Sequence, residues 1–178
     1  MKLRKLTFSG ILIAISVVLV YFIRFPLFVP FLEYDPADIS IFIATFLMGT
    51  PIGLIITVIV SVLQGLTVSG SSGVIGIIMH VFATGSYVLV AGLIYNRKKN
   101  VKNLIIAIIA GIITSTVGMI LWNIIFTPLF LGQSLSSVLP MILPIILPFN
   151  LIKMGVNSTL AFIIFQIIKK YNDKAQII

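Results

Sequence analysis

A single cation, Lys153, sits within ILPFNLIKMGVNSTLAFIIFQIIKK, a stretch otherwise apolar enough to cross a bilayer. A charged side chain at membrane depth is costly and faces a cavity or a polar partner rather than lipid, so it marks a functional position. Asn150 lies three residues before it and Asn157 four after. On a helix those intervals bring all three side chains onto one face. An ammonium between two amides is equipped to hydrogen-bond a polar small molecule. Lys153 also has a plainer use: it could snorkel toward headgroups, or pair with Asp35 or Asp38 for structure alone.

Other residues able to do chemistry are few. The segment EYDPADIS carries Glu33, Asp35 and Asp38. Such a triplet could hold a metal or form an acid/base pair. Asp35 before Pro36, with Asp38 three residues on, is better read as the capped start of a helix. Glu33 and Tyr34 then remain as lid residues. MHVFATGSY contains the only histidine, His80, and the chain has no cysteine, which excludes multi-histidine metal sites, disulfides and thiolate nucleophiles. His80 serves either an interhelical hydrogen bond or a pocket wall. Thr84, Gly85 and Ser86 permit close helix packing, and Trp122 and Tyr34 suit interfacial anchoring. No metal or cofactor is expected.

The missing motifs narrow the function further. The chain lacks a G-x-x-x-x-G-K-[ST] phosphate loop, G-x-S-x-G and H-E-x-x-H. No pair of carboxylates is placed mid-membrane as an ion relay. Binding, rather than catalysis or ATP hydrolysis by this chain, is the expected activity.

The elements that must position these residues follow from composition. The chain has 178 residues, 60% hydrophobic and 9% charged, with a mean hydropathy of +1.24. These values predict an all-α integral membrane protein, a single domain over residues 1–178. Apolar runs at roughly 5–24, 37–49, 51–68, 73–96, 103–131 and 148–168 predict a bundle of six transmembrane helices. The first run is read as a retained helix rather than a cleaved signal. Residues 133–147 could be loop, re-entrant turn or helix extension.

The formal net charge is +8, with cations clustered at Lys2, Arg4 and Lys5, at Arg97, Lys98, Lys99 and Lys102, and at Lys169, Lys170 and Lys174. An even number of spans puts all three clusters on one side, so both termini are expected in the cytoplasm and nucleic acid is not the partner. At about 1.5 Å per residue, Lys153, Asn150, Asn123, His80 and the acidic first loop come to a similar depth in the outer half, where a cavity open to the outside would collect them. Gly10 and Ala14 on the first helix form a small-xxx-small pair that lets another helix approach.

Taken together, FLEYDPADI, MHVFATGSYVLVAGLIY, NIIFTPLF and LPFNLIKMGVNS resemble the riboflavin-specific substrate-binding (S) subunits of energy-coupling factor (ECF) transporters, the RibU family. The resemblance spans essentially the whole chain. It implies a multi-pass protein of a bacterial cytoplasmic membrane that captures riboflavin from outside. It passes the vitamin inward with a transmembrane coupling subunit and two cytoplasmic ATPases. By motif, Asn123, Asn150 and Lys153 would hydrogen-bond the ribityl hydroxyls or the polar edge of the flavin. Leu32, Glu33, Tyr34 and Asp35 would form a lid and the stretch holding Met79, His80 and Thr84 a pocket wall; Asn157 joins the expected binding residues from its spacing to Lys153 alone. Gly10 and Ala14 resemble the small-residue motif that meets the coupling subunit, with glycine in place of a usual alanine.

Three other readings make different predictions. An S subunit for another vitamin would bind no flavin. A small membrane enzyme using His80 with Asp35 or Asp38 would show turnover that His80→Ala abolishes. A channel or exporter oligomerised through Gly10 and Ala14 would transport without ATPases.

Overall fold

The computed structural model describes residues 2–175. Six helices of 12 residues or more follow the six apolar runs: α1 (Lys2–Phe22), α2 (Ala37–Met48), α3 (Thr50–Leu66), α4 (Gly73–Arg97), α5 (Val101–Leu131) and α7 (Leu147–Ala175). A four-residue α6 (Leu135–Val138) lies between the last two. Among the described residues, four stretches are long and apolar enough to cross a membrane: Leu3–Phe22, Gly73–Arg97, Val101–Leu131 and Leu135–Tyr171.

Helices α2 and α3 are shorter, at 12 and 17 residues. At ~1.5 Å per residue, α2 reaches only about 18 Å, well short of a hydrocarbon core of about 30 Å. Its role is central instead: every residue but Leu47 is buried, and it packs against α1, α3, α4 and α7. A helix apolar on all sides belongs in an interior. The joint to α3 is Gly49, whose φ of 99° L side chains rarely adopt, followed by Pro51 in the first turn of α3.

Glycines set how closely the helices approach. A Cβ on Gly53 would strike Thr45 of α2 and Val88 of α4, and one on Gly92 would strike Thr50. A Cβ on Gly111 of α5 would come within 2.7 Å of the Tyr87 ring and 3.1 Å of Ala91 in α4. Tyr87 cannot yield, because its ring is stacked on Phe42 of α2 at a centroid distance of 3.8 Å. Gly111→Leu should therefore prise α5 from α4 and lower stability by about 1–3 kcal/mol or more, read as a fall in the thermal unfolding midpoint in detergent.

The expectation of an all-α chain needs one amendment. The first loop contains a small antiparallel hairpin, β1 (Phe25–Leu27) and β2 (Val29–Tyr34), with Phe25 opposite Tyr34 and Pro26 opposite Glu33. Pro26 and Pro30 bar a helix here, while Phe, Val and Tyr suit a pleated surface. The chain reverses at Phe28, which takes a φ of 68°.

Residues 133–147, which the sequence leaves open, form α6, a 3₁₀ turn (Leu139–Met141) and a π-type turn (Ile142–Ile146) that runs into α7. Pro140, Pro144 and Pro148 recur every four residues, and each removes a donor from the helical ladder, so the segment winds irregularly. It folds against the hairpin: Leu32, Val138, Ile142, Ile146 and Phe149 form a small core apart from the main one. The end of α1, the hairpin, the 67–72 loop, the end of α5 and the start of α7 thus lie at one end of the bundle, here the hairpin end.

Candidate functional site

The cavity opens among these hairpin-end segments, enclosing about 950 Å³ of empty space, part of it continuous with solvent. Helix α7 supplies the face anticipated from its spacing: Asn150, Lys153 and Asn157 are 2%, 9% and 0% exposed. Lys153 Nζ donates to Asp35 Oδ2 at 2.7 Å, and Asp35 Oδ1 accepts from the Ala37 amide at 3.1 Å. The alternative of a Lys153–Asp35 pair is thus realised, and the same ammonium lines the cavity.

Asn157 ties the start of α2 to α7. Its Nδ2 donates to the Asp35 carbonyl at 2.9 Å and to Asp38 Oδ2 at 3.2 Å, and its Oδ1 accepts from the Tyr34 hydroxyl at 2.9 Å. Burial, together with the neighbouring Asp35 carboxylate, pushes the Tyr34 phenol above its ordinary value, so it stays a donor. Tyr34 is buried in this network rather than set as an interfacial anchor, and neither it nor Asn157 lines the cavity.

Asp38 departs from its capping role. Helix α2 starts with Pro36 at the cap position and has no side-chain cap bond. Asp35 holds the Ala37 amide, as an acid before the helix should. Asp38 is fully buried; its Oδ1 accepts from Thr84 Oγ1 at 2.6 Å and lies 3.3 Å from His80 Nε2, off the line of a good hydrogen bond. His80 Nδ1 meets Ser61 Oγ at 2.7 Å. Ser61 Oγ also donates to the Thr57 carbonyl at 2.7 Å, so the histidine is tied to α3 through this hydroxyl. A proton acceptor in the wrong place for a cap is therefore the hub joining α2, α4 and α7.

Helix α5 contributes Asn123, whose Nδ2 donates to the Met119 carbonyl at 2.7 Å while its Oδ1 accepts from Thr127 at 2.7 Å. Asn150 Nδ2 is likewise tied to the Ile146 carbonyl, at 2.8 Å. Each amide thus gives one N–H to a backbone carbonyl four residues earlier, and both residues line the cavity together with Lys153.

The cavity lining brings together Asn123, Asn150, Lys153, Leu32, Glu33, Asp35, Met79, His80 and Thr84. Sequence reasoning missed Arg24, Ser61, Gln64 and Thr127 and the aromatic surfaces of Phe31, Phe130 and Phe149, all of which also line it. A lone arginine at the end of an apolar helix and a lone glutamine in another were the available signals. Arg24 bonds Glu33 of the hairpin through Nε at 2.7 Å and also through Nη2, and its Nη1 bonds the Val68 carbonyl. It links α1, the hairpin and the α3–α4 loop across the cavity mouth. Gly10 and Ala14 lie on an exposed face of α1, with nothing within 4 Å of a Cβ built on Gly10.

A family model described as the substrate-specific component of ECF transporters matches residues 4–165. The chain belongs to that family. A solved structure of the S component of a bacterial ECF transporter is similar over 96% of this chain and 98% of its own, with a TM-score of 0.82 and 29% identity. No relative among curated proteins matches. As an S component the protein is a membrane-embedded, substrate-binding subunit that works with an ECF module, and it is not an enzyme. The reading of His80 with Asp35 or Asp38 as an acid/base pair is overturned accordingly. Asp35 is engaged by Lys153, and Asp38 is enclosed by Thr84, Asn157 and His80.

Proposed function

We propose that this S component captures riboflavin in the cavity at the hairpin end. The observation that carries the reading is the gathering of Lys153 and the side-chain amides of Asn150 and Asn123, all nearly buried, in the lining of one cavity. The flavin ring edge alternates carbonyl, N–H and carbonyl, so its N–H suits an amide oxygen and a carbonyl suits the remaining Lys153 hydrogens. Phe31, Met79, Met119 and Phe149 offer apolar surface to the ring. Mostly apolar pockets with a few placed polar groups are the normal design for such ligands.

In this reading the six-helix bundle is set in a bacterial cytoplasmic membrane with both termini inside, as the cations at the far end of the bundle favour, the short α2 lies within it, and the cavity opens outward. Uptake then depends on a transmembrane coupling subunit and two ATPases, with Gly10 and Ala14 meeting the coupling subunit. Titrating riboflavin into purified protein should give saturable, near-stoichiometric quenching of flavin fluorescence. A folded protein that quenches nothing would overturn the assignment and favour another vitamin.

Two substitutions separate the parts of the proposal. Gly10→Leu, on an exposed face, should leave riboflavin binding intact and impair assembly and uptake; normal uptake would remove the interface. Arg24→Gln should speed riboflavin release several-fold in stopped-flow displacement. Its effect on stability should stay within about 1 kcal/mol, because the pair with Glu33 is partly exposed.

A further inference from the structure

Gln64 lines the cavity from the last turn of α3 and is only 7% exposed, and its side-chain oxygen has no hydrogen-bond partner. A buried amide oxygen left unpaired is costly, and folded proteins seldom carry one without a use. Its backbone carbonyl is fully occupied in closing the helix, accepting from Ser69 at 2.8 Å and Thr67 at 3.3 Å, so the side chain is not needed as a cap.

The two sides of the cavity differ in kind. The α5–α7 side presents the Lys153 ammonium and the side-chain amides of Asn123 and Asn150, a close set of donors and acceptors suited to a flat edge of alternating polarity. The α3–α4 side presents the Gln64 amide and the hydroxyl residues Ser69 and Ser72, with Ser61 already engaged by Thr57 and His80 and the Arg24 guanidinium committed to Glu33 and Val68. Neutral amide and hydroxyl groups spread from the end of a helix into the following loop suit several hydroxyls on a flexible chain rather than one planar edge.

We infer that Gln64 is a specificity-determining residue that reads the polyhydroxylated tail of the ligand, its side-chain oxygen accepting from a tail hydroxyl while the ring edge rests on the α5–α7 side. The inference depends on the riboflavin reading above. It adds an assignment of which end of the ligand meets which wall.

The test is titration of the full-length protein with riboflavin and with lumiflavin, which keeps the ring and replaces the ribityl chain by a methyl group. Gln64→Met should weaken riboflavin binding about tenfold and leave lumiflavin binding within about twofold of wild type. Gln64→Glu keeps an acceptor at the same reach and should preserve more of the preference for riboflavin over lumiflavin. Equal losses for both flavins, or no loss of riboflavin affinity, overturn the tail contact. If Gln64→Met does not fold, Gln64→Glu decides: a retained preference supports the contact and a lost one refutes it. Wild-type protein that binds neither flavin refutes the riboflavin reading itself, an outcome distinct from all of these.

Discussion

Lys153→Ala is expected to abolish tight riboflavin binding and to destabilise the protein at once. The ammonium is bonded to Asp35 at 2.7 Å with both side chains nearly buried, so truncation leaves a carboxylate without its counter-charge. Breaking a buried pair from one side costs about 3–5 kcal/mol. Loss of the direct ligand contact should add a binding deficit of about 1–3 kcal/mol, or roughly tenfold to a hundredfold in Kd. Asn150→Ala should show mainly the binding deficit, since its side-chain bond reaches only the Ile146 carbonyl in the turn leading into α7. The double variant Lys153→Met with Asp35→Asn separates the two roles. Removing both charges should recover most of the thermal stability without recovering affinity. Full affinity in that double variant would mean that the pair serves structure only.

The second large effect is expected at Asp38. Asp38→Leu strips partners from Thr84, His80 and one bond of Asn157 at a fully buried position. About 3 kcal/mol or more should be lost, seen as a marked drop in the thermal midpoint. Riboflavin affinity should fall with it, because α4 and α7 lose the group that sets their spacing beside the cavity. Asp38→Asn should be intermediate: its oxygen can still accept from Thr84, while its amide must face the Asn157 donor. A stable Asp38→Leu protein would show that the hub is dispensable.

Much of this architecture was legible because hydrophobic runs are local. Each long apolar stretch became one helix, and the three- and four-residue intervals around Lys153 placed Asn150, Lys153 and Asn157 together, as helical geometry requires. Asp38 was misread for a physical reason. Its spacing from Asp35 satisfies a capping pattern, while the partners that claim it, Thr84 and Asn157, lie 46 and 119 residues away, where no local pattern reaches. Gln64 was missed similarly, since a single amide in an apolar helix shows its importance only once the cavity beside it is seen. The winding of 139–146 depends on prolines competing with packing against the hairpin, and sequence alone does not settle that balance.

The hairpin over the cavity is held by two unlike adhesives. Along one edge Leu32 is set in apolar contact with Val138, Ile142, Ile146 and Phe149, and at the other Arg24 grips Glu33 through an ion pair with side chains 17% and 32% exposed. Salt weakens the second and hardly touches the first, whereas cooling weakens the apolar edge. The two attachments of the hairpin therefore answer to different conditions: high ionic strength loosens the Arg24 edge and cold the Leu32 edge.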